Sequence, residues 1–203
     1  MNSKFFDLKK EKQDRMMNAG LKIFAKNGYR KASTDDIVAE AGISKGLLFH
    51  YFESKLGLYA FLYDYSVRFM TMELTAAVAS DEKNLFAIAR SVENAKLNVL
   101  KGYPYMQLFL NCAKREDVSE ALLATEEKRC VYQTMLDGIY AKADFEAFPS
   151  IEDGQRIANM LKFTMDGLMM THMAEGSYHP QMCYEESMEY IDTLERVAHL
   201  SIR

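Results

Sequence analysis

The segment 33–52, in which two short capped stretches flank a glycine, constrains the fold of this chain more tightly than any other part of its sequence. Ser33 is placed to accept hydrogen bonds from first-turn amides, and Asp35 and Asp36 follow where a helix dipole favours negative charge. Ser33-x-x-Asp36 has the spacing of a capping box. The pattern predicts a helix over 35–41 that buries Ile37, Val38 and Ala41 and meets Gly42, which tolerates a left-handed backbone. Ser44 then starts the same device again. It caps a helix over 45–52 with Leu48 and Phe52 on one face and Lys45, Leu47, His50 and Tyr51 projecting elsewhere. The result is two short helices joined by a glycine-containing turn.

Upstream, Met16, Ala19 and Ile23 recur at helical spacing over 9–26, and Asn27-Gly28 ends the run. Downstream, a long helix begins near Lys55 and carries Leu58, Leu62, Tyr65, Phe69 and Met72, and it is expected to join two domains. Further helices are predicted over 84–101, 104–114, 117–142, 151–175 and 180–201. Their separators are Gly102-Tyr103-Pro104, the stretch 145–149, and the stretch 176–180. No alternating strand pattern, internal repeat or low-complexity segment is present, so the expected class is all-α. With 203 residues the chain can hold a small N-terminal three-helix unit over 1–54 and a larger helical domain with its own core over 55–203.

Charge divides along the same line. Residues 1–55 carry eleven Lys/Arg against seven Asp/Glu, a surplus of four, while the rest of the chain carries 14 against 22. A basic head on an acidic body suits a protein that brings one end to phosphates and keeps the other away. Three cysteines, Cys112, Cys130 and Cys183, are odd in number and widely spaced, which excludes a disulfide framework and a zinc knuckle. His50, His172, His179 and His199 lack metal-ligand spacing. No metal or other cofactor is expected. The first residues mix Phe5, Phe6 and Leu8 with lysines and acids, unlike a signal peptide, and no stretch approaches the roughly 20 apolar residues of a membrane span. A cytoplasmic location is expected.

A helix-turn-helix reads DNA by bracing its first helix on the backbone and laying its second in the major groove, where each base pair shows a distinct pattern of donors, acceptors and methyl groups. Ser33, Thr34 and the neighbouring amides are candidates for phosphate contact. Ser44, Lys45, Gly46, Leu47, Phe49 and His50 belong to the candidate reading helix. Lys45 suits guanine or phosphate, Leu47 suits a thymine methyl, and Gly46 admits close approach of backbone. Tyr51 and Lys55, at the far end, are candidates for phosphate contacts that position without reading.

Gly28-Tyr29, the run from Ser33 through Ala41-Gly42-Ile43-Ser44-Lys45-Gly46, then Leu48-Phe49-His50-Tyr51-Phe52 and Lys55, closely resemble the N-terminal domain of TetR-family regulators. The resemblance covers residues 10–60. It departs from the family pattern at Ser33, where threonine is common, at Leu47, where threonine or a small residue is common, and at Phe49, where tyrosine is common. Ser33 keeps a capping hydroxyl and Phe49 keeps a ring but loses a hydroxyl. The resemblance implies a homodimer on an inverted-repeat operator, joined through the last two long helices, and a small effector held in the C-terminal domain. It also implies repression relieved by that effector.

Under that implication, Met160, Phe163, Gly167, Met170 and Ala174 form one candidate dimer stripe, and Tyr184, Met188, Ile191, Leu194 and Ala198 form the other. Packing within one subunit produces the same stripes. Fourteen methionines, several beside aromatics, suit an adaptable pocket for a largely apolar effector, although core filling accounts for them equally well. The pocket candidates are Leu62, Tyr65, Phe69, Met106 and Phe109, with Met135, Met165, Asp166, Met169 and His172, the acid and the imidazole being placed to orient a polar group.

Two other functions compete. Gly42-Ile43-Ser44-Lys45-Gly46 has the spacing of the nucleophile elbow of serine hydrolases, but that elbow needs a strand before it, and 35–41 reads as a helix. A helical protein-interaction module without DNA is the other. The basic surplus and the placement of Lys45, Tyr51 and Lys55 argue against it.

Overall fold

The computed structural model describes residues 3–200, which form nine α-helices and two short 3-10 turns, with no strand among the described residues. The helices are α1 (Lys10–Lys31), α2 (Thr34–Ala41), α3 (Lys45–Phe52), α4 (Lys55–Ala77), α5 (Leu85–Gly102), α6 (Met106–Ala113), α7 (Ser119–Tyr140), α8 (Ile151–Glu175) and α9 (Pro180–Leu200). The turns are Ser3–Asp7 and Phe145–Ala147.

Side-chain caps account for most helix starts. Ser33 accepts from the Asp35 amide, Ser44 from Leu47, Ser54 from Gly57, Asn84 from Phe86 and Ala87, and Ser150 from Asp153. Gly42 (φ 64°) ends α2 and Gly176 (φ 72°) ends α8 in the left-handed conformation. The first helix runs further than its sequence pattern predicts. Gly28 breaks it at φ 67° and ψ 172°, and one more turn follows, closed by the Ala32 amide on the Gly28 carbonyl at 3.2 Å.

By packing, the chain forms two compact units. The first holds the described residues up to Met70 together with Val99–Tyr132, and the second holds Thr71–Asn98 together with the described residues from Gln133 onward. The packing therefore follows a different line from a cut at residue 54. Its physical cause is that the N-terminal half of α4 buries Leu58, Tyr59, Leu62 and Tyr63 together with residues of α1 and α6. Phe24, Tyr59, Tyr63 and Phe109 form an aromatic cluster there, with ring centroids 5.0 to 6.2 Å apart.

A buried polar chain crosses the first unit, Tyr132 donating to Gln107 at 3.2 Å and Gln107 to Asn111 at 3.0 Å. The second unit buries Leu74, Ile88, Val92, Leu161 and Ile191 and is pinned by Arg90, which binds Asp192 at 2.6 Å and also Glu195. These carboxylates raise the Arg90 pKa, chiefly through the Glu195 hydrogen bond. Inside the same unit, Lys96 and Glu93 form a largely buried pair at 2.6 Å.

Candidate nucleic-acid interface

The helix-turn-helix head is held from beneath by apolar side chains. Ile37 and Ala41 of α2 and Leu48 and Phe52 of α3 are buried, which fixes the angle between the two short helices. Phe5 locks them further. It is fully buried, and its ring lies 5.1 Å from Phe52, 5.8 Å from Tyr51 and 5.2 Å from Phe61. The sequence reading missed this anchor. The Phe5-Phe6 pair in a charged N-terminal stretch was its only local signal.

Away from this support, Ser44, Lys45, Gly46 and His50 are exposed, and Leu47, Phe49 and Tyr51 are half-buried, Tyr51 against Phe5. A Cβ built on Gly46 meets nothing within 4 Å. Nothing inside this protein requires glycine there, so the bare backbone is available to something outside it. Gly57 is the reverse case, because a Cβ there lies 2.1 Å from the Phe52 carbonyl oxygen. That turn from α3 to α4 is tight, and Glu53 adopts φ 64° within it.

Ser33 and Thr34 are half-buried, with the Ser33 hydroxyl accepting from the Asp35 amide at 3.1 Å. Lys45 is paired across the motif with Asp35, its Nζ lying 2.8 Å from Oδ1 and 3.1 Å from Oδ2. Lys55 requires a correction. Its ammonium does not project outward for a phosphate: it donates to the carbonyls of Tyr29 at 2.9 Å and Ala32 at 3.2 Å and lies 4.4 Å from the Tyr29 ring centroid. The carbonyls at the broken end of α1 lack helical partners, and a cation satisfies them.

Several residues that position this head carry no sequence signal of that role. Glu116 accepts from the Tyr29 amide at 2.9 Å, and Glu120 accepts from the Tyr29 hydroxyl at 2.7 Å. Burial first and Glu120 second push the Tyr29 phenol well above its ordinary pKa. Nearer the start of α1, Tyr103 donates to Asp14 at 2.8 Å and accepts from Lys10 at 2.7 Å. Lys22 binds Glu40 at 2.7 Å, tying α1 to α2, and that hydrogen bond raises the Lys22 pKa.

The expected effector residues fall into both units. Leu62, Met106 and Phe109 are buried in the first, with Tyr65 and Phe69 half-buried beside Tyr103. Met165 and Met169 are buried in the second, with Met135, Asp166 and His172 half-buried. Phe109 belongs to the aromatic core already described. His172 has both ring nitrogens engaged, Nε2 with Glu186 at 2.7 Å and Nδ1 with Ser177 at 2.9 Å, which ties α8 to α9.

The expected stripe on α8 is largely open: Phe163 is 74% and Met160 50% exposed, Gly167 and Ala174 are exposed, and Met170 is half-buried. On α9 the stripe needs correcting. Ile191 is 0% and Ala198 7% exposed, so both are spent in their own subunit's core. Tyr184, Met188 and Leu194 are half-buried, with Tyr184 donating to Asn94 at 2.6 Å. Among the described side chains of α9, the large exposed apolar ones are Met182, Tyr190 and Val197.

Ser44 is the cap of α3 and follows a helix, so the strand that a nucleophile elbow requires is replaced by α2. Among the described residues no group of acids, histidines and cysteines gathers as a metal site, and no helix is long and apolar enough to cross a membrane.

These features define an all-α protein with a helix-turn-helix head. Residues 16–61 match the family model of the bacterial regulatory proteins of the tetR family. The head is of the type found in tetR-family regulators, a fold that indicates DNA-binding transcriptional regulation. Its fold resembles PfmR of Thermus thermophilus, with 19% identity, coverage of 90% of this chain and 97% of that one, and a TM-score of 0.62. It also resembles FadR of Bacillus subtilis, solved in complex with stearoyl-CoA, with 18% identity, coverage of 87% and 96%, and a TM-score of 0.61. A TetR-family regulator from Chloroflexus aurantiacus gives 21% identity, coverage of 96% of both chains and a TM-score of 0.60. No curated protein matches the sequence.

Proposed function

We propose that this chain is a cytoplasmic repressor that binds an inverted-repeat operator as a homodimer and leaves it when a small, largely apolar effector binds. The observation that carries the reading is the open face of α3, where Ser44, Lys45 and Gly46 are exposed over a buried apolar support. In this reading α3 enters the major groove, and α2 braces on the backbone through Ser33 and Thr34. Ser44, Lys45, Gly46, Leu47, Phe49, His50 and Tyr51 meet the duplex, and Lys55 acts by holding α1.

Dimerisation is assigned to the exposed apolar stripe of α8 around Met160, Phe163 and Gly167, joined by Tyr190 and Val197 of α9. Large exposed apolar side chains in one row favour a symmetric partner. Two heads then meet half-sites about 34 Å apart.

The effector is assigned to the helices beyond residue 54. FadR of Bacillus subtilis, similar in fold, was solved with stearoyl-CoA. A long-chain acyl thioester is accordingly the first compound to try. An effector acts by preferring the conformation that does not fit the operator.

Selection of bound fragments from random DNA tests the reading, followed by release with stearoyl-CoA and with other apolar compounds. The expected result is a twofold-symmetric sequence, bound by a dimer and freed by one compound class. Recovery of asymmetric sites by a monomer contradicts the dimeric part. Binding that no apolar compound weakens contradicts the effector part.

A further inference from the structure

We propose that Asp35 is a specificity-determining residue: in the unbound protein it holds Lys45, so that a duplex is rewarded only when it gives Lys45 a better partner than this carboxylate. The inference rests on the reading of DNA by α3 stated above.

Lys45 opens α3, and Asp35 lies in the first turn of α2. The pair therefore bridges the two helices of the motif at the ends that a helix-turn-helix directs toward DNA. A lysine at the start of a helix sits against the positive end of the dipole, an unfavourable place for stability alone. Asp35 neutralises it. Nor is the Asp35 carboxylate the cap of α2, since Ser33 performs that task through the Asp35 amide. Both side chains are open to solvent, 48% for Lys45 and 71% for Asp35, so neither is fixed by packing.

Docking on any duplex draws Lys45 toward phosphate or base and leaves Asp35 uncovered beside a row of negative charges. On random DNA that repulsion is uncompensated. On a cognate site the guanine O6 and N7 edge gives Lys45 a specific acceptor and restores what the opened pair lost. The carboxylate thus weakens random binding more than cognate binding, which widens the ratio between them.

The test uses the full chain, a random-sequence duplex and a duplex selected by the wild-type protein, with binding followed by fluorescence anisotropy across salt concentrations. For Asp35→Asn the expected result is tighter binding to random DNA by about fivefold at low salt, with about twofold or less on the selected duplex. The salt slope on random DNA should steepen by about one. In a Lys45→Ala background the same substitution should leave the ratio between the duplexes unchanged. Asp35→Ser should repeat the effect, with thermal melting confirming that both variants fold. If the wild type binds and both Asp35 variants leave the ratio unchanged, this assignment fails and the DNA reading stands. If the wild type binds neither duplex, the DNA reading fails and takes this assignment with it.

Discussion

The Lys55 ammonium lies 2.9 Å from the Tyr29 carbonyl oxygen and 4.4 Å from the centroid of the Tyr29 ring, so the first residue of α4 closes the last turn of α1. Glu116 and Glu120 hold the same tyrosine through its amide and its hydroxyl. Tyr29 is thus the point where α1, the start of α4, the α6–α7 connection and the start of α7 meet, directly before the helix-turn-helix.

Replacing Lys55 by methionine keeps the apolar stem and removes the cation from the Tyr29 and Ala32 carbonyls. Charged hydrogen bonds of this kind are worth about 1.5–3 kcal/mol, and Lys55→Met should lower stability by about that much. DNA binding should weaken with an unchanged salt slope, because no phosphate contact is lost. Thermal melting and a salt titration check both parts. A slope flattened by about one would restore Lys55 as a phosphate ligand.

Gly46 and Gly57 should respond oppositely to alanine. At Gly57 the new Cβ meets the Phe52 oxygen at 2.1 Å, and overpacking of this kind costs about 1–3 kcal/mol. At Gly46 the space is open and the position is helical, so alanine should stabilise the protein by about 0.5–1 kcal/mol. Affinity for DNA should nevertheless fall in Gly46→Ala. Denaturant melts paired with binding curves separate the two effects, and a Gly46→Ala variant of undiminished affinity would remove this backbone from the interface.

The helix-turn-helix was legible because its determinants are local: Ser33, Gly42 and Ser44 act on amides and torsions within a few residues, and the structure reproduces α3 over the predicted 45–52. The all-α class followed from helical periodicity in the same way. Lys55 was misread because its carbonyl partners lie more than twenty residues away, and nothing in local spacing separates a lysine that faces phosphate from one that caps another helix. Ile191 and Ala198 were misread for a related reason. A helical apolar stripe shows which residues leave water but not whether the covering surface is their own subunit or a second one.

The α8 face offers a direct check on assembly. Phe163→Glu places a charge at the centre of the exposed stripe, and the variant should elute and scatter light as a folded monomer. Binding to a twofold-symmetric operator should fall more than tenfold, since one head loses the other's effective concentration. A variant that remains dimeric moves the interface elsewhere.

Alkaline pH should unfold the protein through its tyrosines. Burial is the leading cause that holds the phenols of Tyr29, Tyr59, Tyr103 and Tyr140 above the ordinary value of 10.0, so the folded state keeps protons that the unfolded state releases. Their contribution to stability is complete below pH 10 and declines as pH rises beyond it. Tyrosinate absorbance at these sites should appear together with loss of helical circular dichroism. Ionisation of all twelve tyrosines with the helices intact would contradict the burial described here.

The placement of α3 is tested most directly by dimethyl sulfate footprinting on a duplex that the protein has selected, because guanine N7 faces the major groove. Bound protein should protect guanine N7 in each half-site, and protection should weaken in Gly46→Ala. Failure to retain any duplex at low ionic strength, or retention with every guanine N7 still reactive, would contradict a reading helix in the major groove.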